Sequence, residues 1–171
     1  EPTGVVREAA LQMIQEQIPA PTTEQIKEYL LLAGADYLSK GVTSWAEAGV
    51  HTPEHMRAYI ELQQEGRLPL RTYLMMMIDE TLDHLISLGI KTGFGDEWLR
   101  IGPAKFFIDG SIGGRTARMS QPYVGEESNL GLWMDDDLDA VKQRFIKAHK
   151  AGFQCCAHAI GDAAISLLLD A

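Results

Sequence analysis

Apolar residues along this chain recur with two periods, and the periods alternate. Val5, Val6, Ala9, Ala10, Met13 and Ile14 fall at helical spacing, which predicts a first helix ending before Pro19. Pro21-Thr22-Thr23-Glu24 is a helix start signal, and Ile26, Leu30, Leu31 and Leu38 carry an apolar stripe on to Lys40. Gly41 stops that helix, and Val42-Thr43-Ser44-Trp45-Ala46 reads as a short apolar strand. Thr52-Pro53-Glu54 caps a helix through Glu65, with Gly66 as its C-terminal stop. The pattern then repeats: a strand within Leu68 to Met75, a helix from Asp79 to Leu88 closed by Gly89, and a third strand within Leu99 to Asp109. Asp135 to Ala151 reads as a helix with acidic residues in its first turn, where the helix dipole favours them. Phe153 to His158 is a fourth strand, and another helix opens at Asp162.

Strand alternating with helix implies an α/β protein built of parallel β/α units. Two architectures fit, an open doubly wound sheet or part of a (β/α)8 barrel. A complete barrel takes about 250 residues, so 171 residues amount to about half of one, in a single domain over residues 1–171. The 25 residues from Gly110 to Met134 are long for a plain connection, and such loops tend to be functional. They follow a strand's C-terminal end, where α/β enzymes place their active sites.

Composition narrows the partners. With 24 acidic and 15 basic residues the formal charge is -9, which argues against nucleic acid and anionic membranes. No apolar run reaches the length of a membrane span. Cys155 and Cys156 are adjacent, so in a strand they point to opposite faces; a free, buried pair in a reducing, cytoplasmic setting is expected.

Several residues have the chemistry of a site. His158 ends an apolar strand just before a Gly-Asp turn, a place from which a neutral imidazole can ligate a metal. A core histidine bonded to a backbone carbonyl accounts for it equally well. Lys105 opens the run Lys-Phe-Phe-Ile-Asp, where a charged amine is costly to bury. A lysine that loses its proton can take up carbon dioxide, and the carbamate can bridge two metal ions; a strand-entry lysine reaching solvent is the plainer account. Asp109 opens the Gly110-Ser111-Ile112-Gly113-Gly114 loop and is suited to accept backbone N–H bonds, while the loop's amides could cradle an anion. Arg115 suits a substrate carboxylate or carbonyl, and equally a salt bridge anchoring the loop. Glu47, just after the first strand, and Asp162 are further candidates for substrate or supporting contacts. His51 and His55 straddle Pro53 without a general-base glutamate, so surface or loop positions are expected. His84 and His149 sit in amphipathic helices, and Met75-Met76-Met77 reads as core filler.

Taken together, Lys105 to Ala117, Pro122-Tyr123, Gly152 and the block His158-Ala159-Ile160-Gly161-Asp162-Ala163-Ala164 resemble amidohydrolase family 3. The branch they are most similar to is the YtcJ-like group, which includes N-substituted formamide deformylases. Gly41-Val42-Thr43-Ser44 and the opening Pro2 to Ala9 extend the resemblance over essentially the whole chain.

That resemblance implies a (β/α)8 barrel with an accessory β-domain, and hydrolysis of non-peptide C–N bonds in small amide-type substrates assisted by one or two divalent ions, zinc foremost. Lys105 matches a carboxylatable lysine at the end of barrel strand four, and His158 the metal histidine of strand five. The family's His-x-His, a further histidine and a catalytic aspartate have no counterpart in the chain. It therefore reads as a central piece, strands two to five, not competent alone, binding metal weakly or not at all, and prone to self-association through open barrel edges. The rival reading is a non-catalytic α/β module holding an anion on the Gly110 to Arg115 loop.

Overall fold

The computed structural model describes Gly4, Val6 and residues 9–170. It divides into two compact units. The first holds residues 22–106 and 137–157; the second holds the described residues up to Pro21, with residues 107–136 and 158–170. The strands are β1 (Ser44–Val50), β2 (Arg71–Met77), β3 (Leu99–Phe107) and β4 (Cys155–His158). The helices are α1 (Ala9–Gln15), α2 (Thr23–Ser39), α3 (Pro53–Gln64), α4 (Glu80–Ser87), α5 (Leu138–Lys150) and α6 (Asp162–Leu169).

The strands form one sheet in the order β1-β2-β3-β4. Ser44 lies opposite Arg71 and Thr72 opposite Leu99, both in parallel register. The Ala104 N–H donates to the Gln154 carbonyl at 2.7 Å, tying β3 to β4. The α/β class with parallel β/α units is therefore borne out, because each strand is followed by a helix before the next begins.

Alternation along β2 shows how the sequence selects a face. Thr72, Leu74 and Met76 are buried while Tyr73, Met75 and Met77 are half-buried, the two-residue period of a pleated strand. Of the methionine run, then, Met76 alone is deep core. Helix boundaries follow local chemistry. Thr22 and Gln25 form a reciprocal capping box at the start of α2, and Thr52 accepts the His55 N–H with Pro53 in the first turn of α3. Gly41, Gly66 and Gly89, just past α2, α3 and α4, all have positive φ, the left-handed stop that favours glycine.

α2 docks on α3 through a charged cluster and a close approach. Lys27 is only 6% exposed, and its Nζ lies 2.5 Å from Glu65, 3.2 Å from Glu61 and 3.4 Å from Glu24. The hydrogen bond the ammonium donates to Glu65 is the main cause holding it above its ordinary pKa, and the same bond holds the Glu65 carboxyl below its own. A buried cation persists here because carboxylates surround it.

Three boundaries differ from the sequence reading. β1 runs from Ser44 to Val50 rather than over residues 42–46, because pairing with β2 continues past Glu47 to Val50 through an irregular step. The polar Glu47 and the following Ala48-Gly49 break the apolar pattern and hide that extension. β3 begins at Leu99, which puts Lys105 near the end of its strand rather than at the entry. α5 starts at Leu138 because Asp137 is its cap, accepting the Ala140 N–H at 2.9 Å.

Gly34 on α2 faces Pro69, and a Cβ built there would lie 2.2 Å from the proline Cγ. A pyrrolidine ring cannot swing aside, so Gly34→Ala should cost about 1–3 kcal/mol in chemical denaturation. An unchanged unfolding midpoint would contradict this packing.

Candidate functional site

The second unit carries the long connection, and its backbone is ordered by its own hydrogen bonds. The N–H groups of Leu132 and Gly110 both donate to the Thr116 carbonyl, at 3.0 and 3.2 Å. Met119 N–H reaches the Leu130 carbonyl at 2.8 Å, and Met134 N–H reaches that of Ile108 at 3.0 Å. Gly131 has positive φ and approaches Ala117 so closely that a Cβ would lie 2.0 Å from its carbonyl oxygen. The segment thus turns back on itself and returns beside Asp109, which bridges to Trp133.

Asp109 is the most deeply buried charged residue of this unit, at 1% exposure. Its Oδ2 accepts the backbone N–H groups of Gly161 at 2.7 Å and Arg118 at 2.8 Å, and its Oδ1 accepts that of Ile160 at 3.0 Å. A carboxylate is acceptor-only and offers about four lone-pair sites, which suits three converging donors. Gly161 is buried against the same strand of backbone, and a Cβ there would lie 1.8 Å from the Arg118 carbonyl oxygen. Only glycine lets these two segments meet.

His158 ends β4 and is half-buried. Its carbonyl accepts the Ile108 N–H at 2.9 Å, and its Nε2 lies 2.7 Å from the Gly110 carbonyl oxygen. A carbonyl only accepts, so Nε2 carries a proton, and in the neutral ring Nδ1 keeps the lone pair. The Phe107 ring sits 5.4 Å from the imidazole, centroid to centroid. The Asp109 Oδ1 is 3.9 Å from Nε2, beyond hydrogen-bond range.

Asp162 opens α6 and accepts both the N–H of Ser120, at 2.8 Å, and its hydroxyl. The Ser120 hydroxyl bond, then the Ser120 amide bond, hold its carboxyl below the usual range. Arg115 pairs with Glu126 and has a left-handed backbone, φ 55°. Its N–H bonds to the Ile112 carbonyl at 2.9 Å and its carbonyl accepts from Asn129 at 3.2 Å, which offsets that strain. Ser111 accepts from the Gly114 N–H through its hydroxyl at 3.1 Å.

Four amides of the loop are committed within it, which counts against the anion-cradle reading. The N–H groups of Gly110, Ser111, Gly114 and Arg115 all donate inside the loop, to Thr116, Ser111 or Ile112. Amides already engaged in holding a turn do not offer a concave nest to a ligand.

Glu47 lies within β1 rather than after it, and its Oε2 accepts the hydroxyl of the buried Tyr59 on α3 at 2.8 Å. Burial, reinforced by the charge of Glu47, raises the Tyr59 phenol above its ordinary pKa. Lys105 is half-buried on β3, and its backbone carbonyl accepts the Ile78 N–H at 2.9 Å. Both cysteines are free and half-buried rather than fully buried. Cys155 Sγ lies 3.6 Å from the Phe145 carbonyl on α5, while Cys156 Sγ lies 3.7 Å from Met75 Sδ on β2. Burial raises both thiols, and the Lys105 charge partly offsets this at Cys156. His51, His84 and His149 are exposed, as expected of surface positions, and His55 is half-buried in the first turn of α3.

The sequence pattern gave no hint of Arg118, whose guanidinium lies 5.3 Å over the Trp133 ring and donates to the Gly131 carbonyl at 3.3 Å. Nor did it single out Ser120 or Glu126. The one available signal was opposite charge within a single long connection, Arg115 against Glu126.

The resemblance carried by the Lys105 and His158 blocks implies a divalent cation as cofactor. His158 fits one, because metal-bound histidines characteristically donate their other ring N–H to a carbonyl or carboxylate. The number of donors does not by itself make a site: among the described residues no three His, Cys, Asp or Glu side chains are grouped to hold a metal ion. No helix among them is long and apolar enough to cross a membrane.

Comparison with known proteins assigns this geometry to a lineage. A family model described as "Amidohydrolase family" matches residues 1–171. The chain is 30% identical over 177 residues to the putative amidohydrolase YtcJ of Bacillus subtilis (strain 168), covering all of this chain and 32% of that protein. It is 29% identical over 180 residues to protein LONG AFTER FAR-RED 3 of Arabidopsis thaliana, covering 99% of this chain and 30% of that one. A crystal structure of an uncharacterized metal-dependent hydrolase from Pyrococcus horikoshii OT3 superposes with a TM-score of 0.82 at 30% identity, over 99% of this chain and 35% of that one. The chain spans about a third of the length of the relatives it matches.

The Ser120 tie depends on an ionised Asp162. A lowered folded-state pKa means the tie contributes stability above the ordinary carboxylate pKa and loses it as pH falls through the lowered value. The Ser120 amide resonance should therefore titrate with a midpoint below about 3.9. A midpoint at or above that value would contradict the assigned bond.

Proposed function

The chain belongs to the amidohydrolase family, and from that premise we propose that it forms part of a metal-dependent hydrolase acting on amide-type C–N bonds of small molecules. In this reading residues 1–171 are a portion of a (β/α)8 barrel, strands two to five, within a larger cytoplasmic enzyme. The observation that carries it is His158, whose Nε2–H is committed to the Gly110 carbonyl and whose Nδ1 is left with its lone pair. Lys105, as amine or carbamate, is the second donor we assign to the metal, with the remaining ligands coming from other parts of the whole protein. Zinc is the ion that best suits imidazole nitrogen and carboxylate-like oxygen together. When bound, such an ion supplies an activated water and a Lewis acid for a carbonyl oxygen.

The chain's own residues hold and orient. Asp109 pins the turn that follows His158, and Asp162 pins Ser120 in the long connection. The exposed Ser111 and Arg115 are the loop side chains we assign to the substrate side, Arg115 steadied by Glu126. Glu47, bonded to the Tyr59 hydroxyl, is assigned a supporting role. With two metal donors the 171 residues alone should neither hold the ion tightly nor turn over substrate.

Metal analysis and amide-hydrolysis assays on the intact protein test this reading. His158→Ala should lower metal affinity by at least about tenfold and abolish hydrolysis, with the fold retained by circular dichroism. Full metal content and activity in that variant would overturn it. Among the described residues β1 and β4 are the outer strands of the sheet, and edge strands offer ladder positions to another chain. The isolated chain should accordingly self-associate in light scattering, and a monodisperse monomer would contradict that expectation.

A further inference from the structure

We infer that Asp109 is a positioning residue for His158: by clasping the backbone on either side, it fixes the Gly110 carbonyl on Nε2–H and so sets which ring nitrogen is left open. The inference rests on the reading of His158 as a metal-facing residue given above, and adds the element that orients it.

The argument begins with connectivity. Gly110 is bonded directly to Asp109, and its carbonyl is the acceptor for the imidazole. The Asp109 carboxylate draws in three N–H groups from two distant stretches, Arg118 in the long connection and Ile160 and Gly161 just beyond His158. The same side chain therefore immobilises the segment that offers the carbonyl and the segment that carries the ring. Backbone pairing reinforces this, because Ile108 N–H donates to the His158 carbonyl at 2.9 Å and Gly110 N–H to that of Thr116 at 3.2 Å. His158 is thus held at its main chain and its side chain by residues on both sides of Asp109.

Charge acts in the same direction. Asp109 Oδ1 lies 3.9 Å from Nε2, too far to accept a hydrogen bond but close enough to favour a proton on that nitrogen rather than on Nδ1. A plain fold-stabilising role for Asp109 would not require any effect on the ring. The two roles separate in Asp109→Asn. Its amide can keep an oxygen toward Arg118 and Gly161, but must then turn an NH2 group toward the Ile160 N–H and the His158 side.

The test is hydrogen exchange of the His158 Nε2–H, read by NMR on the metal-free, intact protein labelled with 15N-histidine, at about pH 8 where imidazole is ordinarily neutral. In the native protein the ring N–H should exchange at least about tenfold slower than the ring N–H of free histidine under the same conditions, since the clasp holds its acceptor in place. In Asp109→Asn its exchange should accelerate about tenfold or more, while the amides of Leu74 and Met76 in β2 keep their protection. Unchanged ring exchange in that variant would overturn the inference. So would a native ring N–H that exchanges as fast as that of free histidine, a comparison that needs no variant should Asp109→Asn fail to fold. Neither readout involves metal or substrate, so failure here leaves the assignment of His158 as a ligand standing. Retention of metal by His158→Ala would remove that assignment without touching the exchange result.

Discussion

One buried carboxylate organises the unit that carries the long connection. Asp109 takes three backbone N–H bonds on two oxygens at 1% exposure, an arrangement that tolerates neither a neutral apolar residue nor a donor in its place. Removing it would strand amides in two loops at once. Around that point the close approaches become intelligible: Gly161 must be glycine because the Arg118 backbone occupies the space of its Cβ. The long connection, far from being slack, is held at Asp109, at Ser120 by Asp162, and along its own return.

The other unit solves a different problem. Its parallel sheet needs cover, and the alternation along β2 buries Leu74 and Met76 while α3 buries Ala58, Tyr59 and Leu62. Lys27, a charged residue in that interior, persists only because Glu61, Glu65 and Glu24 surround its ammonium. Such a cluster orients α2 on α3 more than it adds net stability, since replacing the lysine and its carboxylates together would cost far less than removing the carboxylates alone.

Much of the architecture was legible because local chemistry and tertiary packing agree. Helix starts at Thr22, Thr52 and Asp79, and stops at Gly41, Gly66 and Gly89, are written in caps and turn residues. The parallel β/α class follows from the alternation itself. Boundaries failed where pairing, a non-local force, overrode the apolar pattern: β1 extends through Glu47 because β2 lies beside it. Of the site, Asp109 as an acceptor of backbone N–H bonds and His158 at the end of its strand were readable from a strand followed by an Asp-Gly turn. What could not be read were the partners. Nothing in sequence spacing links Asp109 to Gly161, Arg118 to Trp133, or Arg115 to Glu126, since each pair is made by the path of a folded loop. The glycines that suggested an anion cradle instead let the loop bond to itself.

The central claim is that His158 presents Nδ1 to a divalent metal in the intact enzyme. Anomalous diffraction at the zinc absorption edge from crystals of the whole protein tests it most directly. The account predicts an anomalous peak beside the His158 imidazole on its Nδ1 side, with Nε2 still on the Gly110 carbonyl. A metal-loaded crystal with its anomalous peaks elsewhere and the His158 ring unligated would contradict it.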